Sequence, residues 1–161
     1  RSVMAGDPFY LDKSDPGSWR ALNGLALKVA TAAEAAGLAR ATVELLNVRV
    51  SQLNLCAFCL DLHVRLALEA GVSGQQLAVL PAWRETVLFS DTERAALAVG
   101  EAATVLLAST TDSAAELEAA RAVLSDEQFS ALQWSAVAMN AFNRVSVLSR
   151  HPVRPREGGK V

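Results

Sequence analysis

The sequence predicts an all-α, single-domain bundle of about six to seven helices, and three observations carry that expectation. Alanine and leucine abound while isoleucine is absent, a composition that favours helices packed closely through small side chains. Ser-x-x-Gln or Ser-x-x-Glu boxes stand at Ser73–Gln76, Ser90–Glu93 and Ser125–Gln128, each a helix-start signature in which side chain and backbone cap one another. No stretch alternates apolar and polar residues as a strand does, and no internal repeat or low-complexity run appears. At 161 residues a single domain is expected.

The elements follow in order. Residues 1–15 read as an irregular lead-in, in which Arg1-Ser2-Val3 ahead of Met4 look like a cloning remnant. Phe9 and Tyr10 of this lead-in are expected to pack onto the body or onto a neighbouring subunit. Asp15-Pro16-Gly17-Ser18 is a start signal for a helix over about Trp19 to Ala36, burying Leu22, Leu25, Ala26 and Val29 and stopped by Gly37. Between Gly37 and Asn54, Ala41, Leu45 and Val48 recur at helical spacing, and Glu44, Asn47 and Ser51 form a polar stripe. A further helix is expected from Cys56 to Gly71, with Asn54 as its candidate N-cap and Asp61, Arg65 and Glu69 as its solvated stripe.

A short helix from Ser73 to about Leu80 comes next, then a Pro81-Ala82-Trp83 connector. A helix from Ser90 to about Ala108 is lined by Leu97, Leu106 and Leu107. After a break at Thr110–Asp112, a charged helix through Glu116, Glu118 and Arg121 starts at Asp112 or Ser113. The last long helix runs from Ser125 to about Arg150, where His151-Pro152 stops it; residues 152–161 are expected to be a mobile tail. From Phe129 to Asn143 this helix carries no charge, so it is expected in the core and in a subunit interface. Gln133, Asn140 and Asn143 interrupt that segment.

Composition excludes some functions. The formal charge is only −2, and no basic cluster is interleaved with aromatics, which argues against nucleic acid. No run of 18 apolar residues and no signal peptide appears, so no membrane role is expected and the cytoplasm is the default location.

The chemistry concentrates in residues 44–63, ELLNVRVSQLNLCAFCLDLH, which hold Glu44, both cysteines of the chain (Cys56 and Cys59) and His63. A short turn makes the two helices of this stretch antiparallel. Counting out from the turn at ~1.5 Å per residue, His63 lies about eight residues up one helix and Glu44 about ten back along the other, at similar heights. Cys59 lies one turn below His63, and Cys56 below that. Carboxylate, imidazole and thiol in that order suit a proton relay: Glu44 fixes and polarises His63, and His63 takes a proton from Cys59. A helix N-terminus, a nearby histidine and the C-x2-C spacing all favour the thiolate. A thiolate oxidised by a peroxide becomes a sulfenic acid, which a second thiol condenses to a disulfide. Proximity to His63 favours Cys59 as the attacking sulfur; exposure and the helix N-terminus favour Cys56. Two rival readings stay open: a pair of buried apolar cysteines, and a metal site of two cysteines, a histidine and a glutamate.

The pattern E-x11-C-x2-C-x3-H resembles the alkylhydroperoxidase D-like (AhpD-like) group of the carboxymuconolactone decarboxylase superfamily. LEAGVS, WRETVLFSDTERAALAVGEAAT and NAFNRVSVLSR are similar to further segments of small AhpD-like proteins, so the resemblance spans about residues 19–150. It implies an AhpD-like helical domain over 16–151, with Glu44, Cys56, Cys59 and His63 as catalytic residues. It also implies reduction of a small-molecule hydroperoxide through a Cys56–Cys59 redox-active disulfide, with no bound cofactor. An external thiol reductant, such as a dihydrolipoyl group, and a peroxiredoxin or lipoyl-protein partner are implied too, with assembly as a trimer or hexamer. Within the superfamily the alternative is a lactone-acid decarboxylase, which would not need the C-x2-C pair; outside it, a non-catalytic metal-binding or interaction protein. No chemistry is assigned to Trp83, Asn140, Asn143 or Arg144, whose expected role is packing or capping. His151 is expected to be structural, complementing a helix end.

Overall fold

A computed structural model describes residues 7–106 and 111–156. Among them the chain forms α1 (Leu11–Ser14), α2 (Pro16–Ala35), α3 (Arg40–Leu53), α4 (Ala57–Glu69), α5 (Gly74–Val79), a 3-10 segment (Leu80–Glu85), α6 (Asp91–Thr104), α7 (Thr111–Val123) and α8 (Asp126–Ser149), with no strand. The all-α expectation holds, and the helix count exceeds six to seven because the lead-in contains the single turn α1. All three Ser boxes form reciprocal caps. Gly37 and Gly71 close α2 and α4 at φ 74° and 96°, a region that costs glycine nothing.

Helix α3 is the centre. Leu46 and Val50 on one side meet α6 and α8, with Ala96, Val99, Leu132 and Ala136. Leu45 and Val48 on the other meet Ala67 of α4, Leu80, Trp83 and Leu97. A soluble helix can bury side chains all round only when neighbours cover it on several sides, and α3 has α4, α6 and α8 against it. Gly100 permits the close approach of α6: a Cβ there would lie 3.2 Å from Leu46 Cγ and 3.3 Å from Val50 Cγ2.

Four local expectations are corrected. α2 starts at Pro16 rather than Trp19, because Asp15 caps it by accepting from the amides of Gly17 and Ser18. On α2 Val29 is buried, whereas Leu22, Leu25 and Ala26 are only half-buried, since Leu25 and Ala26 border grooves rather than solid core. α6 ends at Thr104, not near Ala108: the Thr104 hydroxyl turns back onto the Gly100 carbonyl, and Val105 leaves helical geometry (φ −105°, ψ 62°). Leu106 is therefore 70% exposed instead of lining the helix, and Leu107, Ala108 and Thr110 lie outside the described residues. Pro81-Ala82-Trp83 is not a plain connector but part of the 3-10 segment.

Trp83 shows why that segment is ordered. Its ring stacks under the Arg84 guanidinium at 4.1 Å, and its Nε1–H donates to Glu101 Oε1 at 2.9 Å. Glu101 also accepts from Arg49 Nε (2.7 Å) and pairs with Arg84 (2.8 Å), which itself grips Glu116 through two bonds of 2.8 and 2.6 Å. One carboxylate thus ties α3, the 3-10 segment, α6 and, through Arg84, α7. Burial alone would push the Glu101 carboxyl up; the hydrogen bonds of Arg84, Trp83 and Arg49 outweigh it and hold the carboxyl below its ordinary range. A depressed carboxyl adds stability that is complete above the unfolded-state value of ~4.3 and is lost as pH falls through the lower folded-state value. The urea midpoint is therefore expected to fall steeply in acid below about pH 4.5, and Glu101→Gln should lower the midpoint at neutral pH while flattening that acid limb.

Candidate functional site

Helix α3 delivers Glu44 from its buried face, and its side chain is 0% exposed. Oε2 lies 2.7 Å from His63 Nδ1 and 3.4 Å from the Asn47 amide nitrogen. Oε1 accepts no hydrogen bond and is held as an ion pair with Arg40, one turn back on α3. Burial by itself raises the Glu44 carboxyl. His63, through its hydrogen bond and charge, then Arg40 and Asn47, outweigh burial and leave it below its ordinary range, so Glu44 is a carboxylate at neutral pH. A carboxylate only accepts, so Nδ1 of His63 carries the proton of their bond and Nε2 is the nitrogen free to take another. The similar heights expected for Glu44 and His63 on antiparallel helices are what bring them together.

Both cysteines sit at the start of α4. Cys56 and not Asn54 is the N-cap: its Sγ accepts from the Cys59 amide at 3.3 Å. The two sulfurs are joined as a disulfide. Cys56 is 1% exposed and Cys59 3%, so the expectation of an exposed Cys56 is overturned. Its burial follows from the turn that precedes it. Leu55 takes a left-handed conformation (φ 53°), is itself 84% exposed, and swings Cys56 inward so that its amide donates to the Ser51 carbonyl.

Asn54 has a different task from the one expected. Its side-chain amide donates to both Asn140 Oδ1 and Asn143 Oδ1, each at 2.9 Å. Asn143, fully buried, donates in turn to Ser51 Oγ (3.1 Å), and Asn140 to Thr104 Oγ1 (3.0 Å). Buried amides persist when their partners are satisfied, and these hold the turn before Cys56 against α8 from both ends. Asn140 and Asn143 thus position the turn that leads into the disulfide, a role for which nothing in the sequence offered a reason beyond their standing as polar interruptions in a charge-free helix. Arg144 extends the same set by donating to Asn140.

Cys59 and His63 face a cavity of about 970 Å³, whose lining does not include Cys56. Its other walls come from α2 and α8 (Trp19, Val29, Met139, Phe142) and from the two ends of the described chain. Those ends are clasped together. The Leu11 amide donates to Ser149 Oγ at 2.9 Å, and His151 Nε2 bonds Asp12 Oδ1 at 3.0 Å. The His151 ring also stacks on Tyr10 at 5.7 Å and tilts against Phe58, the neighbour of Cys59, at 5.2 Å. His151 is structural as expected, but through these contacts. Tyr10 packs onto the body, while Phe9 is 71% exposed. Arg156, in the segment expected to be mobile, pairs with Asp61. Among the described residues no group of three or more His, Cys, Asp or Glu side chains is arranged to hold a metal ion, and no helix is long and apolar enough to cross a membrane.

A buried carboxylate–imidazole pair beside a C-x2-C disulfide at a helix start, inside an all-α bundle, defines a protein of the AhpD-like class. The chain belongs to the carboxymuconolactone decarboxylase family, whose family model matches residues 19–102, a span that includes all four site residues. It is 36% identical over 109 residues to the uncharacterized protein YdfG of Bacillus subtilis, covering 67% of this chain and 73% of that one. It is also 45% identical over 62 residues to the uncharacterized protein YnjA of Escherichia coli, 38% of this chain and 34% of that one. Among solved structures it is similar to ATU0492 of Agrobacterium tumefaciens, a protein of unknown function named as a candidate antioxidant defence protein AhpD. That structure superposes with a TM-score of 0.78 at 30% identity, covering 92% of this chain and 100% of the other.

Proposed function

We propose that the protein is a thiol-dependent peroxidase that reduces hydroperoxides through Cys59 and Cys56. The observation that carries this reading is the 2.7 Å Glu44–His63 bond set beside a cavity that reaches Cys59 but not Cys56. In the reduced protein, His63 Nε2 takes the Cys59 proton. The Cys59 thiolate attacks one peroxide oxygen, the O–O bond breaks, and the departing alkoxide leaves as an alcohol with the proton held on His63. Cys59 is now a sulfenic acid. Cys56 attacks its sulfur, the S–O bond breaks, and the hydroxyl leaves with the Cys56 proton as water. The balance is one hydroperoxide and two thiols in, one alcohol, one water and one disulfide out. An external dithiol, for which the resemblance implies a dihydrolipoyl group on a carrier protein, then resets the pair by two exchanges, and a peroxiredoxin partner would take electrons from the reset pair. The cytoplasm, where such dithiols are maintained, is the compartment that suits the cycle.

The direct test is a hydroperoxide-consumption assay with several dithiols, followed by mass spectrometry. Mild peroxide should remove two hydrogens and protect both sulfurs from alkylation. Two free thiols after peroxide has been consumed would defeat the reading.

The same chain is proposed to work as a homo-oligomer, a trimer or hexamer. Trp134, Val137 and Leu148 stand on one face of α8, exposed at 52%, 49% and 68%, and apolar surface of that kind marks interfaces. Light scattering should give a multiple of 17.0 kDa, and Trp134→Glu with Leu148→Glu should return it to that mass.

A further inference from the structure

We infer that the cavity beside Cys59 takes a hydroperoxide with an extended apolar body and a terminal carboxylate; its reaction rests on the peroxidase reading, its binding on the cavity alone. Size is the first argument. A water-sized peroxide needs a few tens of Å³, against about 970 Å³ here, whereas pockets of ~300–1,000 Å³ enclose whole small organic molecules. The wall is the second. Trp19 and Phe142 meet edge to face with centroids 5.6 Å apart, and Val29, Met139 and Phe58 continue an apolar lining suited to a hydrocarbon.

Charge is the third argument, and it selects the carboxylate. The acidic side chains of the lining are already committed, Asp12 to His151 and Asp61 to Arg156. Arg40 is committed to the buried Glu44. Arg154 also lines the cavity, and among the described residues no hydrogen bond or ion pair engages it. A guanidinium is a planar fork that matches a carboxylate through two parallel hydrogen bonds. Offered at the margin of an apolar cavity with no acid to meet it, Arg154 is an anchor for the charged end of a ligand whose chain runs along the aromatic wall. A neutral hydroperoxide would leave it unused.

The test uses the oxidised protein, in which the intact Cys56–Cys59 disulfide prevents turnover, and two probes of equal chain length, octanoate and 1-octanol, followed by titration calorimetry. Octanoate should bind about ten-fold more tightly than the alcohol, the scale of a charge-assisted pair. Arg154→Gln should remove most of that difference, weakening octanoate far more than the alcohol. Quenching of the fluorescence of Trp19, which stands in the cavity wall, should accompany binding. Equal affinity for the two probes, an equal loss of both in Arg154→Gln, or no binding of either at millimolar concentration overturns the inference. The two readings fail separately. Hydrogen peroxide consumed by the reduced protein without octanoate binding leaves the peroxidase and removes this ligand class. Octanoate bound at Arg154 without any hydroperoxide consumed leaves the site and removes the peroxidase.

Discussion

His63→Gln is expected to slow oxidation of the thiol pair by hydroperoxide by roughly 10²–10⁴-fold, the range for a positioned general base, while the far- and near-ultraviolet circular dichroism stays that of the parent. The carboxylate on Nδ1 leaves Nε2 as the ring's proton acceptor, and glutamine supplies no base. Glu44→Gln should cost nearly as much, because an amide neither stabilises the imidazolium nor enforces the tautomer that frees Nε2. The double variant should be little slower than either single one, since two groups that act as one unit lose their function together. Stopped-flow oxidation of the reduced protein measures the rates, and thiolate absorbance against pH measures the thiol, whose pKa should rise in both single variants. Glu44 is fully buried between Arg40 and His63, so Glu44→Gln is also expected to lose stability; the rate is therefore compared below its unfolding transition. A Glu44→Gln protein that reacts at the parent rate with an unmoved thiol pKa would leave the carboxylate as a packing element and end the relay.

The second large effect separates the two sulfurs. Cys59→Ser should abolish peroxide turnover and leave Cys56 slow to react, since Cys56 is 1% exposed and absent from the cavity lining. Cys56→Ser should keep the first step. Cys59 would consume one equivalent of hydroperoxide, trap as a sulfenic acid that a dimedone-type reagent labels, and overoxidise for want of a resolving thiol. Turnover would fall to background in both variants, but only Cys56→Ser would show the single-equivalent burst. A burst in Cys59→Ser and none in Cys56→Ser would reverse the order of attack and require the turn at Leu55 to open during catalysis.

Much of the site was legible from the chain alone. The caps at Ser73, Ser90 and Ser125 and the stops at Gly37 and Gly71 read correctly because a cap is a contract among residues three or four apart. The Glu44–His63 contact, though 19 residues apart, was also legible, because one short turn and two helices of regular rise relate them. Asn54 was misread because a polar residue ahead of a helix looks like a cap from local sequence, whereas its amide goes to Asn143, 89 residues away. Cys56 was misjudged as exposed for a related reason: a helix N-terminus is open only if nothing packs over it, and the left-handed Leu55 turns Cys56 inward to the core. The tertiary structure alone decided the cavity. Its walls need the clasp of Asp12 to His151 across 139 residues and the pairing of Arg156 with Asp61 across 95. Periodicity and capping act within a turn or two of helix, so they set which elements form and which face each side chain takes. Contacts between distant elements depend on how the helices pack as a set, and no local pattern encodes them.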